Sequence, residues 1–538
     1  MDSQPPLPQQ HQPPPSASAG IIDDGADFRQ KETRRLTDLI TSSQSRPLHV
    51  HSIRIDGITH TRSTLVEQLV SPILQSETLG DVIAESREAC QRLNRLGVFR
   101  DVAVTLDTPP RSVEAGGGVG KELVDVVLTV KEGPRFYART GADFSNYDTT
   151  TNITTKISNA LGGGEYLEAN ASYAVQPSVA LNESAAAFAS ETGSYFQILA
   201  SKPLLPTPRF RRANRADPEA RIEVAAYNTN RNAQLHQSHD EQTKGLAVRY
   251  KTADPYYGNH EFAYDVAWRH LHNIAPNASW SIRKDAGHTL KSVLSHSFTR
   301  DHRDDPMLPT RGTYVRVREV NKPDGNEDMA RLGVYVSRST YSLSLPLKEL
   351  AGLGGDVQFA KGEAEGQYIR NLGHGFTLSS TLRAGLMMPL PNSTKPIRVN
   401  DRFVLGGPNS VRGFAQSGVG PVDKKDSLGG TAYYALGLSL FAPLPRLADK
   451  PIKAHFFANA GSLLPTTTTT TMTSSSSSSN NSLPASLLSS SPSVSAGLGL
   501  AVRFSILRLE LNYCLPLVAR LGDRMAGGLQ FGVGVSYM

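Results

Sequence analysis

The chain has 538 residues, of which 39% are apolar and 20% charged, with 45 glycines, 34 prolines and a formal net charge of +6. A soluble chain of that length would divide into about three or four domains, but so much glycine and proline leaves little sequence for large helical cores. No run of about 18 apolar residues occurs, which excludes a transmembrane helix, and the mild charge without a basic-aromatic stripe gives no ground for a nucleic-acid partner.

Residues 1–46 open as MDSQPPLPQQHQPPPSASAG and are too poor in apolar residues to fold, so a disordered tail is expected. They lack the basic and apolar regions of a secretory signal and are no Arg-rich presequence, so targeting without a cleavable N-terminal signal is expected. From 47 to 133 the texture is that of a compact mixed domain. VHSIRIDG alternates as a strand, and TRSTLVEQLV starts a helix behind a Thr cap. TLGDVIAESREACQRLNRLGVF then carries Val82, Ile83, Ala89, Cys90, Leu93 and Leu96 at helical spacing. DVAVTLD and LVDVVLTVKEG add two strands around a Gly-rich insertion at 109–121. The order strand, helix, helix, strand, strand, with NRLGVFRDV between second helix and second strand, resembles a POTRA (polypeptide-transport-associated) domain.

From 134 to 538 helical periodicity disappears. From RFYARTGADF to GLQFGVGVSYM, short segments with period-two alternation follow one another between turn signals. A transmembrane β-barrel of about 16 antiparallel strands is the expected fold, one face of each strand toward lipid and the other toward a wet lumen. In LRLELNY, Leu507, Leu509, Leu511 and Tyr513 share one face and Arg508, Glu510 and Asn512 the other. In the last strand Phe531, Val533, Val535 and Tyr537 oppose Gln530, Gly532, Gly534 and Ser536. The segment 321–350 gives a surplus strand and reads as an insertion. The Ser/Thr tract at 463–493 must lie outside the bilayer, because hydrocarbon offers irregular backbone no partner.

The stretch DRFVLGGPNSVRGFAQSG (401–418) is too rich in glycine for a helix and, with Pro408, unsuited to a central strand. It reads as part of a long loop, 390–430. Counting strands back from the C-terminus puts this loop, the Ser/Thr tract and 517–527 on one side of the membrane. An even strand number puts the N-terminal domain and the C-terminus on the other. A loop of that length is either mobile outside or folded into the lumen. Gly406, Gly407 and Pro408, with Arg412 set between Val411 and Gly413-Phe414, suit a packed loop, since glycine permits close backbone approach and a guanidinium can grip a carboxylate. Glu510, on the lumen face, is the candidate partner of Arg412.

LGGPNSVRGF resembles the loop of the outer-membrane-protein assembly superfamily that includes bacterial BamA, in which a Val-Arg-Gly-Phe/Tyr tetrad sits inside the barrel. TRDHRDDPMLPTRGTYV (299–315) is similar to the superfamily's Asp-x-Arg-Asp…Pro-x-x-Gly motif through Asp301, Arg303, Asp304, Pro309, Thr310, Arg311 and Gly312. With the POTRA-like domain the resemblance spans about residues 49–538. One such domain, together with a Ser/Thr-rich insertion, is most similar to the core channel subunits of the mitochondrial sorting and assembly machinery (SAM/TOB), and the low-complexity additions suggest a fungus or alga. The resemblance implies an insertase that folds β-barrel precursors, porin-type among them, into the mitochondrial outer membrane. It also implies metaxin-like peripheral subunits, a POTRA-like domain in the intermembrane space, and a lateral gate between the first and last strands. Gly141, Gly532 and Gly534 would weaken that seam. QFGVGVSY fits a mitochondrial sorting signal through Gln530, Gly532, Val535 and Tyr537. A polypeptide translocation channel of the chloroplast envelope type is the alternative.

Enzymatic readings fail on the residues. AGGGVGKE at 115–122 has Ala115 for the first glycine of a phosphate loop and Glu122 where Mg²⁺ would need Ser or Thr. The 14 histidines show no metal-ligand spacing, His296 and His302 included, so no metal, cofactor or catalytic residue is expected. Cys90 and Cys514 read as ordinary thiols.

Overall fold

The computed structural model describes residues 42–108, 122–144, 149–175, 193–204, 219–254, 258–321, 355–390, 397–445, 451–465, 491–504 and 507–534. The expected Gly-rich insertion lies outside these residues, as do all of the 321–350 segment beyond Asn321, the central part of the Ser/Thr tract, and Val535 and Tyr537.

Two compact units divide the chain. The N-terminal one runs β1 (Leu48–Asp56), α1 (Ser63–Val70), α2 (Leu79–Arg95), β2 (Phe99–Asp107) and β3 (Glu122–Glu132). This is the order expected of a POTRA-like domain. Its sheet is ordered β1-β3-β2, with β1 parallel and β2 antiparallel to β3. α2 buries Val82, Ser86, Ala89 and Leu93, one stripe at helical spacing, and packs on β2. Residues 42–46, expected in the disordered tail, are ordered instead. The carbonyls of Arg46 and Gln44 accept from the N–H groups of Leu79 and Gly80 (3.1 and 3.0 Å), donors that the first turn of a helix leaves without a partner.

The second unit is a 16-stranded antiparallel sheet of the β-barrel class. Its strands begin with β4 (Phe136–Phe144), β5 (Thr149–Ser158), β6 (Tyr166–Val175), β7 (Gly193–Leu204), β8 (Glu219–Asn232) and β9 (Asp240–Asp254). β10 (Gly258–His272), β11 (Gly287–Asp301), β12 (Gly312–Asn321), β13 (Phe359–Gly373) and β14 (Phe376–Pro389) follow. A loop holding the two-residue strands β15 (Val422–Asp423) and β16 (Asp426–Ser427) leads to β17 (Ala432–Pro443), β18 (Ile452–Leu464), β19 (Ser493–Phe504), β20 (Leu507–Val518) and β21 (Gly528–Gly534). β18 and β19 overrun the ends of the expected Ser/Thr tract: Leu463, 1% exposed, belongs to an apolar cluster, so strand pairing continues further than composition suggests.

Each barrel strand pairs with its sequence neighbours, β14 with β17 across the loop, and the order ends at β4 on one side and β21 on the other. Among the described residues no ladder joins those two strands. Antiparallel order puts the loop between β14 and β17, the connection from β18 to β19 and the turn 519–527 at one end of the barrel. β4 starts and β21 finishes at the opposite end. Alternation is clean on β20, where Arg508, Glu510 and Asn512 are buried while Leu511, Tyr513, Leu515 and Leu517 are exposed. No helix among the described residues is long and apolar enough to cross a membrane.

Candidate functional site: a loop clasped inside the barrel

The connection from β14 to β17 folds back into the lumen. Its backbone closes on itself through bridges between Phe403 and Gly430 and between Leu405 and Val419, and it reaches the turn after β20 through Phe414 and Met525. Phe403, Leu405, Val411, Phe414 and Val419 of the loop share one buried cluster with Phe359, Met387, Ala435 and Leu463 of the wall. Glycine is required where the loop turns. Gly406 has φ +111°, and a Cβ there would lie 2.7 Å from the carbonyl oxygen of Ala415. Gly413, at φ +84°, brings the backbone against Ser495 and Cys514. Gly407 also takes a left-handed φ, +114°.

Arg412 is fully buried. Its Nη2 and Nε donate to Glu510 Oε2 at 2.9 and 3.2 Å, and its guanidinium lies 5.1 Å from the centre of the Phe457 ring. Asn459, its amide oxygen turned toward the arginine, accepts from Arg412 N and Nη1, each at 3.2 Å. Glu510, also fully buried, holds two further donors: Asn512 Nδ2 at 2.8 Å and the guanidinium of Arg508. His455 extends the network, with Nδ1 3.0 Å from Asn512 Oδ1 and Nε2 3.0 Å from Ser439 Oγ. A carboxylate removed from water is tolerated only when it is paired and hydrogen-bonded on both oxygens, and Glu510 meets that condition. Next to Arg412, Ser495 donates to the Arg412 carbonyl, and Gly413 N–H donates to Gln530 Oε1 at 3.0 Å.

Three more clasps were not legible in the chain. Asp401 accepts from both terminal nitrogens of Arg269 on β10 (2.9 and 3.0 Å) and from Lys291 on β11 (2.8 Å). Burial alone would raise the Asp401 carboxyl, but the cations of Lys291 and Arg269 outweigh it and hold the group below its ordinary value. Asp426, in the β15–β16 hairpin, accepts from Ser238 Oγ (2.5 Å) and from the N–H of Ser279 (2.6 Å), which belong to the loops after β8 and β10. The turn 519–527 is stitched to the loop by Arg524 N–H to Gly418 O (2.8 Å), Ala526 N–H to Gly413 O (2.9 Å) and Gly420 N–H to Asp523 Oδ1 (3.0 Å).

The Asp-x-Arg-Asp motif lies at the opposite barrel end, in the turn between β11 and β12. Arg303 pairs with Asp301 (2.7 Å), donates to Gln367 Oε1 (3.1 Å) and stacks on Tyr314. Asp304 caps Thr310 through its N–H (2.9 Å) and hydroxyl (2.5 Å). Pro309 sits in this turn, and Gly312, at φ +121°, leaves no room for a Cβ beside the His302 carbonyl. The two motifs meet through Arg508, which holds Glu510 and also donates to Met307 O at 3.4 Å. Arg508 was visible in the sequence only as a lumen-face residue. Of the seam residues, Gly141 pairs with Asn152 on β5 and Gly532 with Glu510 on β20. Gln530 pairs with Asn512 on β20, and its side chain also reaches the loop, Nε2 donating to Phe414 O (3.4 Å) and, in the turn after β20, to Ala526 O (3.1 Å).

A barrel of 16 strands that holds such a loop can be compared with known proteins. The Omp85 superfamily domain matches residues 159–537, which include both motifs. The chain belongs to the Omp85 superfamily. The SAM50-like protein of Schizosaccharomyces pombe is 30% identical over 536 residues, covering 97% of this chain and 98% of that protein. The sorting and assembly machinery component 50 homolog of Homo sapiens is 28% identical over 527 residues, 96% of each chain. Among solved structures, BamA from Haemophilus ducreyi lacking POTRA domains 1–3 aligns with a TM-score of 0.65, covering 90% of this chain and 84% of that one at 15% identity. At 15% identity the likeness to BamA is one of fold.

Proposed function

We propose that this Omp85 chain is a β-barrel insertase of the mitochondrial outer membrane, working without a nucleotide, which accepts precursors and folds them into the bilayer through a lateral gate between β4 and β21. The observation that carries the reading is the sheet order, whose two ends are the first and last strands of the barrel. An edge strand presents unpaired N–H and C=O groups, and hydrocarbon cannot satisfy them. An incoming strand complements them by β-augmentation. The names of the S. pombe and H. sapiens relatives support the mitochondrial setting.

In this reading the lumenal loop anchors the gate. Gln530 of β21 accepts from Gly413 of the loop, and the loop is held in turn by Glu510 of β20 and, across the lumen, by Arg269 and Lys291. Gly141 and Gly532 soften the seam, while Gln530, Gly532, Val535 and Tyr537 form the chain's own sorting signal, the element that a client's last strand displaces. The POTRA-like unit receives precursors in the intermembrane space, and metaxin-like subunits cover the cytosolic face.

The test is assembly of a radiolabelled porin-type precursor in isolated mitochondria depleted of this protein, beside a matrix-targeted control. Porin is expected to stall before its protease-protected form while the control imports normally, and re-expression of Arg412→Ala is expected not to restore assembly. Normal porin assembly, or a stall confined to soluble precursors, refutes the insertase and favours a polypeptide channel.

A further inference from the structure

The outer wall of the barrel carries a feature that the assembly reading does not use. A groove of about 620 Å³ crosses β12, β13, β14, β17, β18 and β19, lined among others by Val315, Tyr368, Leu382, Leu436, Leu438 and Ala460. It faces outward: Tyr368, Leu382, Leu436 and Leu438 are exposed, whereas their neighbours Ile369, Thr381 and Ser439 are buried. Its floor is low because small side chains, Ser380, Ala458 and Ala460 among them, stand where the surrounding wall has leucine and tyrosine. In a bilayer this face meets acyl chains, and a concave apolar strip there holds one with more contact than a convex wall allows.

The groove runs to the barrel end at which β12 begins. There Thr313 pairs with Tyr368, and Gly312 with Ile369. Two exposed arginines flank this point. Arg370 shares the outward face of β13 with Tyr368, about 7 Å further along the strand, and Arg311 immediately precedes Gly312. Among the described residues neither guanidinium is ion-paired, and the carboxylates of the adjoining turn are engaged elsewhere: Asp301 with Arg303, Asp304 with Thr310 and the N–H of Arg311, and Asp305 with Arg503. Neighbouring like charges repel, and cations at a membrane rim attract anionic headgroups. Guanidinium is the side-chain group best matched to phosphate, which it can bind through two parallel hydrogen bonds.

We propose that the groove, with Arg311 and Arg370 at its end, is a binding site for an anionic phospholipid, the phosphate on the two guanidiniums and one acyl chain along the strip of small residues. The site requires only that the barrel sit in a bilayer, so its failure would leave the insertase reading standing. The lipid belongs to the wall containing β12–β19, away from the two end strands of the sheet, and would stiffen that wall.

The full chain, purified in detergent and titrated with phosphatidylglycerol or with phosphatidylcholine of the same acyl chains, is examined by native mass spectrometry. Phosphatidylglycerol is expected to be retained in preference. Arg311→Gln/Arg370→Gln is expected to weaken its binding about tenfold or more, the worth of a charge-assisted contact, and Arg370→Gln alone to weaken it less. Ala460→Trp, which fills the groove and leaves both arginines, is expected to weaken it as well. Equal retention of the two lipids, or phosphatidylglycerol binding unchanged in the arginine variants or in Ala460→Trp, overturns the proposal. Heat-dependent gel mobility verifies that each variant is folded.

Discussion

Removing Glu510 is expected to cost more than removing Arg412, although the two form one pair. In Arg412→Ala, Glu510 keeps Arg508 on one carboxylate oxygen and Asn512 on the other, so the buried negative charge stays compensated. What disappears is the two hydrogen bonds to Glu510, the one from Nη1 to Asn459 and the stacking on Phe457. In Glu510→Ala, two buried guanidiniums, Arg412 of the loop and Arg508 of the wall, remain without their shared anion. Breaking a buried pair costs about 3–5 kcal/mol, so Arg412→Ala is placed near 3 and Glu510→Ala near 5 on that scale. The double variant, which leaves one cation, is expected to cost less than the sum of the two. Urea unfolding in detergent, followed by tryptophan fluorescence, measures this in the barrel alone, because Trp268 and Trp280 both lie in that unit. An Arg412→Ala cost equal to or above that of Glu510→Ala would refute the reasoning, since it would mean that Arg508 and Asn512 do not compensate the carboxylate.

Asp401→Asn is expected to release the loop from β10 and β11, seen as faster proteolysis within 401–430 while tryptophan fluorescence stays folded. Because Lys291 and Arg269 hold the Asp401 carboxyl below its ordinary value of 3.8, its contribution is fully present above that value and is lost as the pH falls through the lower folded value; Asp401→Asn should flatten the acid limb of a stability-against-pH curve. Gly413→Ala forces a left-handed backbone on alanine and sets a Cβ 3.0 Å from that of Ser495, a cost of about 1–2 kcal/mol measurable by the same urea titration. Gln530→Ala leaves the Gly413 N–H without its acceptor, about 1–3 kcal/mol; it is expected to slow porin assembly with strand content unchanged by circular dichroism, and full activity would remove Gln530 from the gate anchor.

Local pattern carried much of this architecture. Alternation along LRLELNY was enough to put Arg508, Glu510 and Asn512 on the lumen face, and glycine around Val411-Arg412 was enough to mark a packed loop, because side-chain period and φ freedom are properties of a few consecutive residues. The pairing of Arg412 with Glu510 could be named as a candidate since the lumen face of β20 offers an anion at the right polarity. Gln530 shows the limit: its place in a C-terminal motif suggested a signal, and nothing in that motif pointed to its amide also holding the loop through Gly413 and Phe414.

Strand number, the two-unit division and the chemistry of the loop were therefore determined by the sequence itself, through periodicity and turn residues. The clasps were decided only by the tertiary structure. Arg412 and Glu510 are 98 residues apart, Arg269 and Asp401 are 132 apart, and Met307 and Arg508 are 201 apart. Which lumen-facing charges meet depends on the curvature of the sheet and on the path of one loop through its interior. Many lumen positions carry charge of either sign, so composition permits many pairings, and only the one in which each buried ion finds its counter-ion survives desolvation. The outward groove arises the same way, from small residues on several strands that register brings into line.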